Sequence, residues 1–477
     1  MARIRTGPVP LVRCRRTVRR TLPALAAAGA PAPAAAPLAQ GTAAPLSWRT
    51  ATGAVALLAA LGLLAALGLA LPAGRARAET SGPPAAAGSL APGGPPAGAL
   101  PGVGPSWPEQ PFDPARLAQE QLRALETGPL EQVLAELNRT WAGYAPELRL
   151  QEVLRLYTAE EESPWQPAAL ARGLAHYLLR EVMANSGLLV RLLVMAILAA
   201  VLQNLSGAFA HEGAAQVAHL VVYLVLSLMA LAGFRLAVGA AQGAMEQLQS
   251  FLLALLPMLL TILVAMGNVT TAAVLQPIFP ALLAAVVGVV TRVVFPLIFF
   301  SVVLEIAGGL NEKLKVSHLA GLLRQGALVT MGLLFTLFFG FSAVRAAAGA
   351  VGDSVAMRTA KYLTGALVPV VGKIFSDATE LVWSAGILLK NGLGLLGLAA
   401  VFLIAVFPCL KILSLVLIYR AAAALVQPVG QGAVAATLNA VATSLVLIGG
   451  TLGVVAMMFF LTVAVVVGMG NLTVMMR

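Results

Sequence analysis

Charge is scarce in this 477-residue chain: Asp, Glu, Lys and Arg make up 11% of it, against 59% hydrophobic residues. A soluble fold of this length needs far more polar surface, so the deficit excludes a soluble enzyme and points to an integral membrane protein. Cysteine is nearly absent. Cys14 lies in the N-terminal leader and Cys409 in an apolar run, so removal of the leader leaves no possible intramolecular disulfide. HExxH, the phosphate-binding GxxxxGK[ST] loop and the nucleophile elbow are also missing, and with them any visible support for chemistry by this chain alone. No catalytic, cofactor or metal residues are expected. His211-Glu212 and His219 do not change this: eight residues on a helix separate the histidines by roughly 12 Å, too far to share an ion.

The charge that is present is unevenly placed. The net +11 divides into ten cations and no anion over residues 1–78, seven cations against thirteen anions over 79–186, and fourteen against seven over 187–477. Basicity thus belongs to a leader and to membrane-flanking positions, and nucleic-acid binding is not implied.

Along the chain, an Arg-rich start precedes an apolar run from Ala51 to Leu71, and Ala76-Arg77-Ala78 follows as a small-x-small cleavage pattern. That order is a secretory signal peptide, expected to be cut after Ala78, with an n-region longer than usual. Residues 79–112 read as a Pro/Gly/Ala linker. Residues 113–186 turn helical and acidic: Leu130, Val133, Leu134, Leu137, Trp141 and Tyr144 recur at helical spacing behind Thr127-Gly128-Pro129, and Leu148, Leu150, Val153, Leu154 and Tyr157 begin a second stripe. This predicts a small extracytoplasmic helical module whose aromatics form its core and whose Glu160-Glu161-Glu162 is a solvated helix end.

From 187 to 477 the chain reads as an all-α polytopic domain. Candidate spans are Gly187–Leu205, Val217–Phe234, Phe251–Met266, Val274–Val290, Val293–Gly309, Ala327–Phe341, Leu393–Leu410 and Val434–Met469. The last is long enough to be a hairpin broken at Gly449-Gly450-Thr451, which gives seven to nine crossings. Arg292 is expected at a turn between two spans, and Arg191 is placed to snorkel. Glu305 is a candidate intramembrane charge with no evident partner.

Val344–Gly392 is the longest semi-polar passage in this domain, with Arg345, Arg358, Lys361, Lys373, Asp377, Glu380 and Lys390 among its charges. If an exported module starts the count, nine spans place Lys313, Lys315, Arg324, Lys411 and Arg420 inside and this passage outside, against the positive-inside bias. Gly352, Gly365, Pro369 and Gly372 suit a re-entrant segment of broken helices. Lys373, Asp377 and Glu380 share one helical face, with Arg358 and Lys361 on a comparable face upstream. They offer either an assembly or conduit surface, to which Lys390 also belongs, or an ordinary amphipathic helix with a weak salt bridge. Gly386, Gly392, Gly394 and Gly397 are spaced for close helix approach.

Four stretches carry a resemblance to a known family: VRAAAGAVGDSVAMRTAKYLTGALVPVVGKIFSDATE (Val344–Glu380), LLKNGLGLLG (Leu388–Gly397), FPCLKILSLVLIYRAAAALVQPVG (Phe407–Gly430) and the terminal GMGN (Gly468–Asn471). Over about 115–477 the chain resembles the stage III sporulation protein AE family of endospore-forming bacteria. The resemblance implies a multi-pass protein of the mother-cell membrane around the forespore. It would be a non-enzymatic subunit of the channel or secretion complex that late forespore gene expression requires. Implied partners are the other stage III sporulation A-operon proteins, including a secretion-type ATPase, and, through the complex, the forespore's stage II sporulation protein Q. The resemblance brings no catalytic residues. A self-sufficient secondary transporter is the alternative, and it would need inverted repeats with paired broken helices, of which the sequence offers one interrupted region only.

Overall fold

The computed structural model describes residues 120–123, 125, 127–150, 152, 167–206, 212–310, 316–367, 369–429 and 432–475; the side chains of 167, 200, 203–216, 219, 346–383, 429 and 470–475 are outside the described residues. The signal peptide, its Ala76 and Ala78, the linker, Glu160–Glu162, His211, and the side chains of Glu212 and His219 fall outside this set as well.

Every regular element among the described residues is helical. The first, α1 (Gly128–Trp141), starts with a proline in its first turn, where the missing N–H costs nothing, and buries Leu130, Leu134, Leu137 and Trp141 along one stripe. Asn138 holds the chain that follows, since its Nδ2 donates to the Leu148 carbonyl (3.0 Å) and its Oδ1 accepts from the Leu148 N–H (2.9 Å). Next come α2 (Pro167–Ala184) and α3 (Ser186–Ser206), whose axes meet at 43°.

The remaining helices are long. They are α4 (Glu212–Ala265), α5 (Val269–Val289) continued through a π-helical turn (Val290–Val294) into α6 (Phe295–Leu310), α7 (Ser317–Leu367), α8 (Pro369–Val426) and α9 (Gly432–Met475). Gly267, at φ 86°, makes the sharp turn from α4 to α5 in a conformation that L side chains rarely adopt. Helices α4, α8 and α9 pack on one another as the centre of the molecule; α6 and α7 form a hairpin against α9, and α3 lies on α4 and α8. The acidic module shares this core, because α1 packs on α4 and α2 on α8.

Several breaks expected from the sequence are absent. Val217–Phe234 and Phe251–Met266 belong to the single helix α4, and α9 runs unbroken through Gly449-Gly450. Arg292 occupies a π-helical turn, so the chain passes through it without reversing. The backbone is also helical through Gly352, Gly365 and Gly372, within α7 and α8. A glycine inside a helix costs only about 1 kcal/mol, which packing readily offsets, and a π turn absorbs an extra residue without ending the helix. Five helices among the described residues are long and apolar enough to cross a membrane, or six if α2 and α3 form one bent span. The apolar part of α4 has 46 residues, about 69 Å at 1.5 Å per residue against a hydrocarbon core of ~30 Å.

Candidate functional site

The semi-polar passage 344–392 divides between the end of α7 and the start of α8. Arg358, Lys361, Lys373, Asp377 and Glu380 sit on these helices, but their side chains lie outside the described residues. Lys390 is described: it is fully buried within the chain, flanked on α8 by the equally buried Leu389 and Leu393. A buried lysine is costly unless engaged, and Lys390 and its neighbours Ser384 and Asn391 each hold an interaction partner.

Lys390 shares its face of α8 with a seam of glycines. A Cβ on Gly386 would stand 2.9 Å from Met266 Cγ, one on Gly394 2.5 Å from Val467 Cγ2, and one on Gly397 2.6 Å from Leu255 Cδ2. Those separations are shorter than any ordinary carbon contact, so only glycine lets α4 and α9 approach α8 this closely.

A second charged group lies on the α6–α7 hairpin. Glu305, expected to stand alone, forms an ion pair with Arg324. One turn away, the Ser301 hydroxyl donates to the Ala320 carbonyl at 2.8 Å. The two contacts match because residues four apart share a helix face: 301 and 305 on α6 meet 320 and 324 on α7. Both partners of the pair are partly exposed, at 34% and 25% of the side chain, so it registers the hairpin more than it stabilises it.

Two buried tyrosines tie the long helices together. Tyr223 on α4 donates to the Ile306 carbonyl at 3.1 Å and pairs with Thr437 Oγ1 at 2.6 Å, joining α4, α6 and α9. Tyr419 on α8 donates to the Ala230 carbonyl on α4 at 3.0 Å. Gly309 and Gly233 are the small residues against which these hydroxyls rest. Sequence reasoning missed both tyrosines; the only signal was a polar tip in an apolar run, which needs a partner when buried.

The acidic module docks about two-thirds of the way along α8. Trp141 stacks on Phe407 with ring centroids 5.5 Å apart, and Tyr177 meets the same ring edge-on at 4.8 Å. Lys411 Nζ lies 3.8 Å from Glu181 Oε1, and the Arg180 guanidinium bonds to the Tyr144 hydroxyl. The aromatics therefore serve as core, as expected for α1, but much of that core is supplied by α8. Among the described residues, no three or more His, Cys, Asp or Glu side chains gather where a metal ion could be held.

Comparison with known proteins sets this architecture in a family. No solved structure matches the chain. The chain is 37% identical over 362 residues to the "Stage III sporulation protein AE" of Bacillus subtilis (strain 168), a match covering 76% of this chain and 90% of that protein. The family profile described as "Stage III sporulation protein AE" matches residues 148–470, a range that holds α2 to α9 nearly entire, the Lys390 seam and the Glu305–Arg324 pair. The chain belongs to the stage III sporulation protein AE family.

Proposed function

We propose that this chain is a non-enzymatic membrane subunit of the channel or secretion complex joining the mother cell to the forespore, seated in the mother-cell membrane. The observation that carries this reading is the 37% identity across 90% of a stage III sporulation protein. Two features support it. Known nucleotide-binding and hydrolase motifs are missing from the sequence, so work done by the complex would draw on a partner such as a secretion-type ATPase. The passage 344–380, richest in charge, lies on the end of α7 and the start of α8, and would serve as a docking face for the other A-operon proteins. Contact with the forespore's stage II sporulation protein Q would then run through the complex.

The test is genetic and biochemical. Deletion in a sporulating host should block development after engulfment and abolish late forespore gene expression. Lys373→Glu should insert into the membrane yet fail to co-purify the A-operon partners. Normal spore yield on deletion would refute the role, and full partner recovery with Lys373→Glu would move the docking face elsewhere. The transporter alternative is the weaker one here, because α4, α8 and α9 run continuously instead of as paired half-helices.

A further inference from the structure

Contacts between the long helices fix their stagger, and that stagger gathers cations contributed by different helices. Helices α4 and α8 are antiparallel, since Tyr419 meets Ala230 near one end while Gly397 and Gly386 meet Leu255 and Met266 toward the other. Helices α4 and α6 are antiparallel too: Tyr223 meets Ile306, and the Phe234 and Phe299 rings lie 5.7 Å apart. Counting along each helix from these contacts, Lys411 comes level with about residue 238 of α4 and Arg292 with about residues 237–241. Both are within roughly 9 Å, along the axis, of Arg235. Arg420, next to Tyr419, lies about 8 Å to the other side of Arg235.

Arg235, Arg292 and Arg420 are all exposed. The ion pairs of the described residues use Arg149, Arg324 and Lys411, so these three arginines have no carboxylate partner there. On one side of this level the molecule presents bulky apolar side chains outward, among them Leu220, Leu224 and Leu228 on α4 and Phe299 and Phe300 on α6. On the other, α4 exposes Glu246, Gln247 and Ser250 before its apolar surface resumes at Leu253. From Arg235 back to the start of α4 at Glu212 is 23 residues, about 35 Å, close to the ~30 Å of one hydrocarbon core.

We propose that Arg235, Arg292 and Arg420 form a girdle at the headgroup level of one leaflet and bind the phosphates of anionic phospholipids, so setting the depth at which the bundle sits. Guanidinium groups suit the task, because they hold phosphate bidentately and snorkel from an apolar helix face.

The experiment places the full chain in nanodiscs of phosphatidylcholine with or without phosphatidylglycerol and reads retained lipid by native mass spectrometry. Wild type should retain phosphatidylglycerol in preference to phosphatidylcholine. Arg235→Gln, Arg292→Gln and Arg420→Gln should each lower that retention about fivefold. Arg149→Gln, in the acidic module, should leave it unchanged. The corresponding single lysine variants, which keep the charge, should retain most of it and guard against a glutamine variant that fails to fold. Equal retention by the glutamine and wild-type chains would overturn the proposal. So would inorganic phosphate displacing phosphatidylglycerol as effectively as a competing anionic lipid does, since the girdle would then be a site for free anions.

Discussion

Two stretches of this molecule have nearly the same claim to a bilayer and opposite fates within the fold. Ser384–Val426 on α8 and Ser317–Arg345 on α7 are both long and apolar, yet the most apolar window of the first is 61% buried and that of the second 22%. The more apolar of the two is also the more buried, and shape adds to that difference. On α8 the glycines sit where α4 and α9 press in, whereas Gly332 and Gly340 on α7 face open space. Helix α7 instead points Leu333, Leu337 and Phe339 outward. In lipid, apolar side chains gain nothing by being swapped for lipid tails, so close packing and hydrogen bonds decide which helix becomes the centre.

The largest test of that contrast is steric. Gly397→Leu should cost upward of about 3 kcal/mol and lower the unfolding temperature in detergent sharply, since Leu255 and Val463 leave no room. Gly340→Leu, the same change on α7, should stay within about 0.5 kcal/mol. Equal effects would show that the α8 seam is not the centre. Next in size is Trp141→Ala, expected to cost about 3 kcal/mol and to loosen the module from α8, seen as faster proteolysis between α1 and α2. Tyr419→Phe should lose about 1 kcal/mol, because its bond to the Ala230 carbonyl joins two core helices. Smallest is the hairpin pair: a double-mutant cycle on Glu305 and Arg324 should give a coupling of at most about 1 kcal/mol, and the swap Glu305→Arg with Arg324→Glu should recover most of what either single change loses.

The sequence made the helical class legible because bilayer-length apolar runs have few alternatives, and it made α1 legible because its stripe keeps a strict helical spacing. It misplaced the helix ends. Arg292 and Gly449-Gly450 are local signals for a turn, and the chain overrides both with a π turn and with packing against Ile412. The partner of Glu305 was hidden as well, since Arg324 is nineteen residues away and joins it only when the hairpin closes. Lys390 stands beside the charged face of residues 373–380, and nothing local shows that it is fully buried.

By itself the sequence determined that this protein is helical, membrane-bound and related to a sporulation protein, because composition, run length and specific strings carry that information within single segments. Only the tertiary structure decided which apolar helices form the centre, that Lys390 is enclosed, that Glu305 is paired, and that the acidic module leans on Phe407. Those outcomes depend on register between segments far apart in the chain, set by where glycines let helices meet and where a tyrosine or a carboxylate finds its partner.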